Sequence, residues 1–259
     1  MRLNRLVTPA ILFSIAFCTL ITAPAVAQKR PQSRYTGTST RNAGTRVAGA
    51  VGMEDDSHFE SILTNSQVRI FRLTIAPNEA TLLDSHPHDY IVVSLGTNAF
   101  EAVGEITRFS LEMSDGEAQI LTAGWPHKLV NKAPQPAHLL ILEVVRGIYP
   151  AQSVCGLGGH SCDQTRFGKT DAGSYDQTML FETSTVRLLR AELGPGGVLP
   201  SHADTNDHLM VMLTDSHLSD GIGAGTEESA GHATWTFGRL QPIKNLGAQD
   251  ARMLILEIK

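Results

Sequence analysis

The sequence predicts an all-β protein made of one barrel-like or sandwich-like pattern written twice. From about Ile62 onward the chain reads as short alternating runs punctuated by Ser, Asp, Gly, Asn and Pro, the text of many short strands joined by tight turns. No long amphipathic helix interrupts these runs. The landmarks of the first half also return in the second half in the same order, which marks an internal repeat.

The N-terminus belongs to a different kind of segment. Arg2 and Arg5 precede an apolar run from Leu6 to Ile21, and Ala25-Val26-Ala27 supplies a small-residue cleavage site. That is the layout of a secretory signal peptide over residues 1–27, and it predicts an exported protein, periplasmic or secreted. Cleavage would remove two basic residues and no acidic one, taking the formal net charge from −5 to −7. Nucleic acid and anionic membrane surfaces both reward clustered Lys and Arg, so neither is an expected partner. No later stretch is apolar enough over about 20 residues to span a bilayer. Residues 28–57, rich in Thr, Ser, Gly, Arg and Ala, read as a flexible linker.

A first barrel is expected over 58–149. Its strand-like runs are Val68–Ile75, Tyr90–Leu95, Ile106–Met113, Ala118–Thr122 and Leu139–Val145. A second barrel is expected over 179–259. Val68-Arg-Ile-Phe-Arg72 followed by Pro77 matches Val186-Arg-Leu-Leu-Arg190 followed by Pro195, at a shift of 118. Leu140-Ile-Leu-Glu143 matches Leu254-Ile-Leu-Glu257 at a shift of 114, and Gly124 and Asn131 match Gly238 and Asn245 at the same shift. Residues 150–178 would be the connecting loop. They hold Cys155 and Cys162, the only cysteines left after cleavage. In an oxidising compartment these should form a disulfide, the rival being a metal site with His160.

The segment richest in chemistry is Asp84-Ser-His86-Pro-His88-Asp89-Tyr90. On a strand, alternation would put Asp84, His86, His88 and Tyr90 on one face and Asp89 on the other. Two imidazoles so placed can meet one ion if a third ligand arrives from elsewhere. Gly124-Trp-Pro-His127 offers that third ligand from a turn. These residues resemble the two motifs of the cupin superfamily. His86-x-His88 with Gly96 fits the first motif, and Gly124, His127 and Asn131 fit the second. The glutamate expected after His-x-His is absent, since four residues beyond His88 the sequence has Val92. The second half follows the first-motif spacing with Gly196, His202, Asp204, His208 and Asp215, and has Gln241 where the first has His127.

The resemblance implies two tandem double-sheet jelly-roll β-barrels, the fold of a bicupin, each enclosing a concave pocket. It also implies a divalent metal ion, Zn, Fe, Mn, Ni or Cu. The expected ligands are His86, His88 and His127 in the first barrel, and His202, Asp204 and His208 in the second. Asp89 and Tyr90 are the candidate acid–base residues. Two functions stay open. One is a metal-dependent small-molecule enzyme of oxygenase, isomerase or lyase type; the other is a non-catalytic module that binds a small ligand or keeps the metal for structure. Homo-oligomerisation is left open as well.

Overall fold

The computed structural model describes residues 49–149, 153–156, 162, 165–170, 173–202, 205–221 and 224–259. The expected signal peptide, the linker up to residue 48, and Asp204 lie outside the described residues.

The first half contributes eight strands: β1 (Phe59–Thr64), β2 (Val68–Ile75), β3 (Tyr90–Ser94), β4 (Asn98–Gly104), β5 (Arg108–Met113), β6 (Ala118–Leu121), β7 (His127–Asn131) and β8 (Ala137–Val144). They form a five-stranded sheet in the order β1-β2-β8-β3-β6 and a three-stranded sheet in the order β5-β4-β7. The second half contributes β9 (Ser153–Cys155), β10 (Thr165–Thr170), β11 (Gly173–Thr183), β12 (Val186–Leu193), β13 (Val198–Leu199), β14 (Asp207–Met212), β15 (Ser216–Ser219), β16 (Thr226–Glu228), β17 (Ala233–Thr236), β18 (Ile243–Asn245) and β19 (Ala251–Ile258). Its sheets run β10-β11-β12-β19-β14-β17, with β9 on β11, and β13-β18-β15-β16. Each half is thus a double-sheet barrel. Among the described residues the only helical element is the 3-10 turn Met53–Asp55.

The repeat in the sequence is a repeat in the structure. β2 and β12 bury their residues in the same pattern along all eight positions. Each pairs antiparallel with the last strand of its own half, β8 or β19. Asn131 and Asn245 act as matching pins. The Asn131 amide donates to the Ile75 carbonyl at 2.9 Å and the Gln135 carbonyl at 2.8 Å. The Asn245 amide donates to Leu193 at 2.8 Å and Gln249 at 2.7 Å. Both side chains are fully buried, so these bonds satisfy groups that water cannot reach.

Alternation along the central strands serves two cores at once. Leu140, Leu142 and Val144 of β8 pack with Leu254, Leu256 and Ile258 of β19 in one apolar layer shared by the two halves. Leu139 and Ile141 face the first barrel's interior, and Met253 and Ile255 face the second's. By the same period of two, Glu143 and Glu257 point inward. A strand buried on both faces reads as an unbroken apolar run, which explains why each final strand is so rich in Leu and Ile.

Two segments differ from the sequence reading. Residues 49–57, expected to be linker, fasten to the first barrel. The Val51 amide donates to the Leu83 carbonyl at 2.9 Å, and Met53 and Asp56 are buried. Asp56 holds the segment by accepting from the amides of His58 at 3.0 Å and Leu82 at 2.7 Å. Residues 150–178, expected to be a loop, contain β9, β10 and the first part of β11. Their polar, glycine-containing text lacks the apolar alternation by which a strand is read, and pairing along β12 orders it nonetheless. The expected Cys155–Cys162 disulfide is present, with a Cα–Cα distance of 5.0 Å. No helix of the described residues is long and apolar enough to cross a membrane.

Candidate metal centres

The first site forms where a short backbone bridge draws two segments together. The Asp84 amide donates to the His127 carbonyl at 2.9 Å, and the His127 amide donates to the Asp84 carbonyl at 3.0 Å. The Gly124 amide donates to the His86 carbonyl at 2.9 Å. Side chains of Asp84, His86 and His127, all buried, then offer donor atoms that lie within 4.8 Å of one another. Asp84 Oδ2 is 3.4 Å from His86 Nε2, and Asp84 Oδ1 is 4.0 Å from His127 Nδ1.

His88 does not join them. Residues 85–89 are not strand, and a bend at Pro87 and His88 breaks the alternation expected of His-x-His. His88 is left half-buried, and Asp84 stands in the cluster in its place. Asp89 is also outside the cluster. Its Oδ1 accepts the Ala123 amide at 2.9 Å and so fastens the turn that presents His127. Asp207 does the same for Gly238 at 2.9 Å in the second half.

Tyr90 enters the site from β3, fully buried. Its hydroxyl lies 2.8 Å from His127 Nε2, and its ring stacks on His86 at 3.9 Å between centroids. Burial, and then the negative charges of Asp84 and Glu143, push the hydroxyl well above the ordinary phenol range, so with no cation present it is a donor. His127 Nδ1 lies 2.8 Å from the Trp125 carbonyl. A carbonyl only accepts, so Nδ1 carries the proton and Nε2 presents a lone pair. Burial lowers the His127 pKa, with Asp84 and the Trp125 carbonyl acting in the opposite sense. The indole of Trp125 stacks flat on His127 at 4.3 Å.

The second site gathers His202, His208 and Glu257, again within 4.8 Å of one another. His208 sits on β14 at the position that Tyr90 holds on β3: each lies directly across the ladder from the glutamate of the last strand. His208 Nδ1 donates to the Gly238 carbonyl at 2.9 Å, which leaves Nε2 facing Glu257 Oε1 at 3.6 Å. His202 Nδ1 stands 2.6 Å from the same oxygen, and the Gln177 amide is 2.9 Å from His202 Nε2. Arg187 Nη1 donates to Glu257 Oε2 at 2.8 Å. Burial works against the Glu257 charge, but His202, His208 and Arg187 hold the carboxyl well below the usual carboxylate range. Gln241 is exposed and does not substitute for His127.

Glu257 is not among the expected ligands, nor is Gln177 expected beside His202. The repeated Leu-Ile-Leu-Glu string was a signal for the first, since an acid ending a strand buried on both faces needs a partner. In the first barrel the equivalent Glu143 pairs with Arg69 at 2.9 Å, while its Oε1 has no hydrogen-bond partner.

The second site leaves Nε2 of His208 buried without a hydrogen-bond partner, and the first leaves more. Both oxygens of Asp84 and Nδ1 of His86 are buried without a hydrogen-bond partner. A carboxylate in that state is too costly to leave uncompensated, and with two imidazoles beside it the donor set fits a metal ion.

The same architecture recurs in solved structures. The chain is similar to an oxalate decarboxylase from Lactobacillus farciminis in a formate complex, with 11% identity, 83% of this chain and 87% of that chain covered, and a TM-score of 0.55. The chain is a bicupin in fold. The chain is also similar to AerE from Microcystis aeruginosa, with 15% identity over 79% of this chain and 98% of that chain and a TM-score of 0.52. A third likeness is to vicilin from Capsicum annuum, with 10% identity over 77% and 84% of the two chains and a TM-score of 0.51. No family model matches the sequence, and no curated protein matches it either. At these identities the likeness is one of fold, and function has to be argued from the sites.

Proposed function

We propose that this bicupin is an exported metal-binding protein whose first barrel holds one metal ion through Asp84, His86 and His127, and that it acts on a small molecule as a metal-dependent enzyme. The observation that supports this is the Asp84 carboxylate, 1% exposed, with neither oxygen hydrogen-bonded, with His86 Nε2 3.4 Å away and the His127 ring in the same cluster. A cation would neutralise the buried charge and satisfy the ligand atoms together. Bound there, the ion would supply Lewis acidity toward an oxygen of the substrate. The chain's own part is orientation: the Trp125 carbonyl fixes the His127 tautomer, and such fixing of ligand nitrogens commonly matters tenfold or more to affinity.

The second barrel supports a different role. Glu257 is already paired with Arg187 and His202, so its charge needs an ion less than that of Asp84 does. A cavity of about 370 Å³ lies in the same barrel, lined by Met210, Leu218, Thr226, Glu228, Thr236 and Gln241 among others. Thr236 lies directly across the ladder from His208, so the cavity adjoins the second cluster. Its size suits a small organic ligand. The lining combines hydroxyl groups with two carboxylates, Asp220 and Glu228, which favours a neutral, hydroxylated molecule over a dianion.

Elemental analysis and zinc titration of the full chain test the metal reading. One ion per chain is expected, lost in Asp84→Asn and His127→Gln and retained in His202→Ala. A wild-type chain that binds no ion would remove the proposal.

A further inference from the structure

We propose that Tyr90 is the fourth ligand of the first metal centre, and that this makes the site selective for ferric iron. This rests on the metal reading above and extends it to the identity of the ion. The geometry leaves His127 one nitrogen to offer, because binding through Nδ1 would break its bond to the Trp125 carbonyl. The remaining nitrogen, Nε2, faces the Tyr90 hydroxyl at 2.8 Å. Two donors on one ion, each at about 2.0–2.2 Å, stand roughly 3 Å apart. An ion held by His127 Nε2 therefore meets Tyr90 Oη.

Tyr90 has little room to withdraw. Its side chain is fully buried, stacked on His86 at 3.9 Å, and fixed on β3 between β6 and β8. The second half has an imidazole, His208, at the same lattice position, aimed at its own cluster. A donor at this position thus points into the site in both barrels.

On binding, the phenolic O–H bond breaks, an oxygen–metal bond forms and the proton leaves to solvent. No electron moves if the ion arrives as Fe(III). The completed set is two anionic oxygens, from Asp84 and Tyr90, and two neutral imidazoles. Anionic oxygen favours hard ions and imidazole is at home on iron.

The test uses the full chain, with ferric iron added as its citrate complex and zinc chloride as comparison. Phenolate ligation gives Fe(III) a visible charge-transfer band and resonance-enhanced phenolate vibrations. Both are expected in the wild type and in His208→Ala, which silences the second cluster. Tyr90→Phe should lose them and bind iron at least about tenfold more weakly. Because that variant removes a buried hydroxyl, the ultraviolet signal of tyrosine ionisation on iron binding provides a check in the wild type itself. Iron bound without phenolate signals, with unchanged affinity in Tyr90→Phe, would overturn the Tyr90 proposal and leave the Asp84 site standing. Failure to bind either iron or zinc would overturn both.

Discussion

A buried carboxylate that accepts no hydrogen bond is destabilising, and Asp84 is such a group, which the proposed cation would relieve. Asparagine has almost the same shape without the charge. Asp84→Asn should therefore stabilise the metal-free chain by about 1–3 kcal/mol while abolishing metal binding. Denaturant unfolding with and without chelator checks this: the variant should be the more stable form only when chelator is present. Asp56 is the opposite case, a buried carboxylate with every partner it needs. Burial works against its charge, but the amides of His58 and Leu82 and the His58 ring lower its pKa from the usual 3.8. The sign follows from linkage: a depressed folded pKa gives stability that is full above the unfolded value and lost as pH falls through the folded one. Asp56→Ala should cost about 2–4 kcal/mol at neutral pH, and the difference from wild type should shrink below about pH 4. A difference that is flat between pH 7 and pH 3 would show that the charge of Asp56 contributes nothing.

At the scale of elements, the indole of Trp125 links strand geometry to the proposed metal centre. Gly104, at the end of β4, lies against it; a Cβ there would stand 2.4 Å from Trp125 Nε1 and 3.0 Å from the Pro126 carbonyl oxygen. Gly104→Ala should push the indole off the His127 ring, cost about 1–3 kcal/mol and weaken metal binding although it touches no ligand. Unchanged affinity would mean that the stack does not position His127. Elements of this kind were partly legible in the sequence. The strand Val68–Ile75 was readable from its alternation, and the two barrels from the repeat of Val-Arg, Gly, Asn and Leu-Ile-Leu-Glu landmarks. The Gly-Trp-Pro-His turn pointed correctly to a buried His127. Periodicity failed at His88, because the bend at Pro87 and His88 ends the period of two between the two histidines. It also failed to raise Asp84, Glu143 and Glu257 above ordinary turn or strand residues. What makes those carboxylates matter is burial beside imidazoles supplied from distant parts of the chain, and spacing along one strand carries no record of that.

At the scale of the whole molecule, the two barrels share an apolar layer, so neither half buries its own outer sheet face alone. Val68, Ile91 and Leu142 from one half and Leu188, Leu209 and Leu256 from the other belong to that one layer. Polar bonds stitch its edges: the Gln67 amide donates to Asp207 at 2.8 Å, and the Thr185 hydroxyl donates to the Gly147 carbonyl at 2.9 Å. Separating the halves would expose all of this surface at roughly 25 cal/mol per Å², a penalty that couples their unfolding. The sequence offers a convenient reporter, because its two tryptophans fall one in each half, Trp125 in the first and Trp235 in the second. Trp235→Phe leaves fluorescence that reports the first barrel, and Trp125→Phe leaves fluorescence that reports the second. In a Leu256→Ala background, a cavity in the shared layer should cost about 2–5 kcal/mol. Both reporters should then shift by the same amount, even though the substitution lies in the second half alone. If only the Trp235 signal moves, the barrels fold independently and the shared layer is a docking contact rather than a common core.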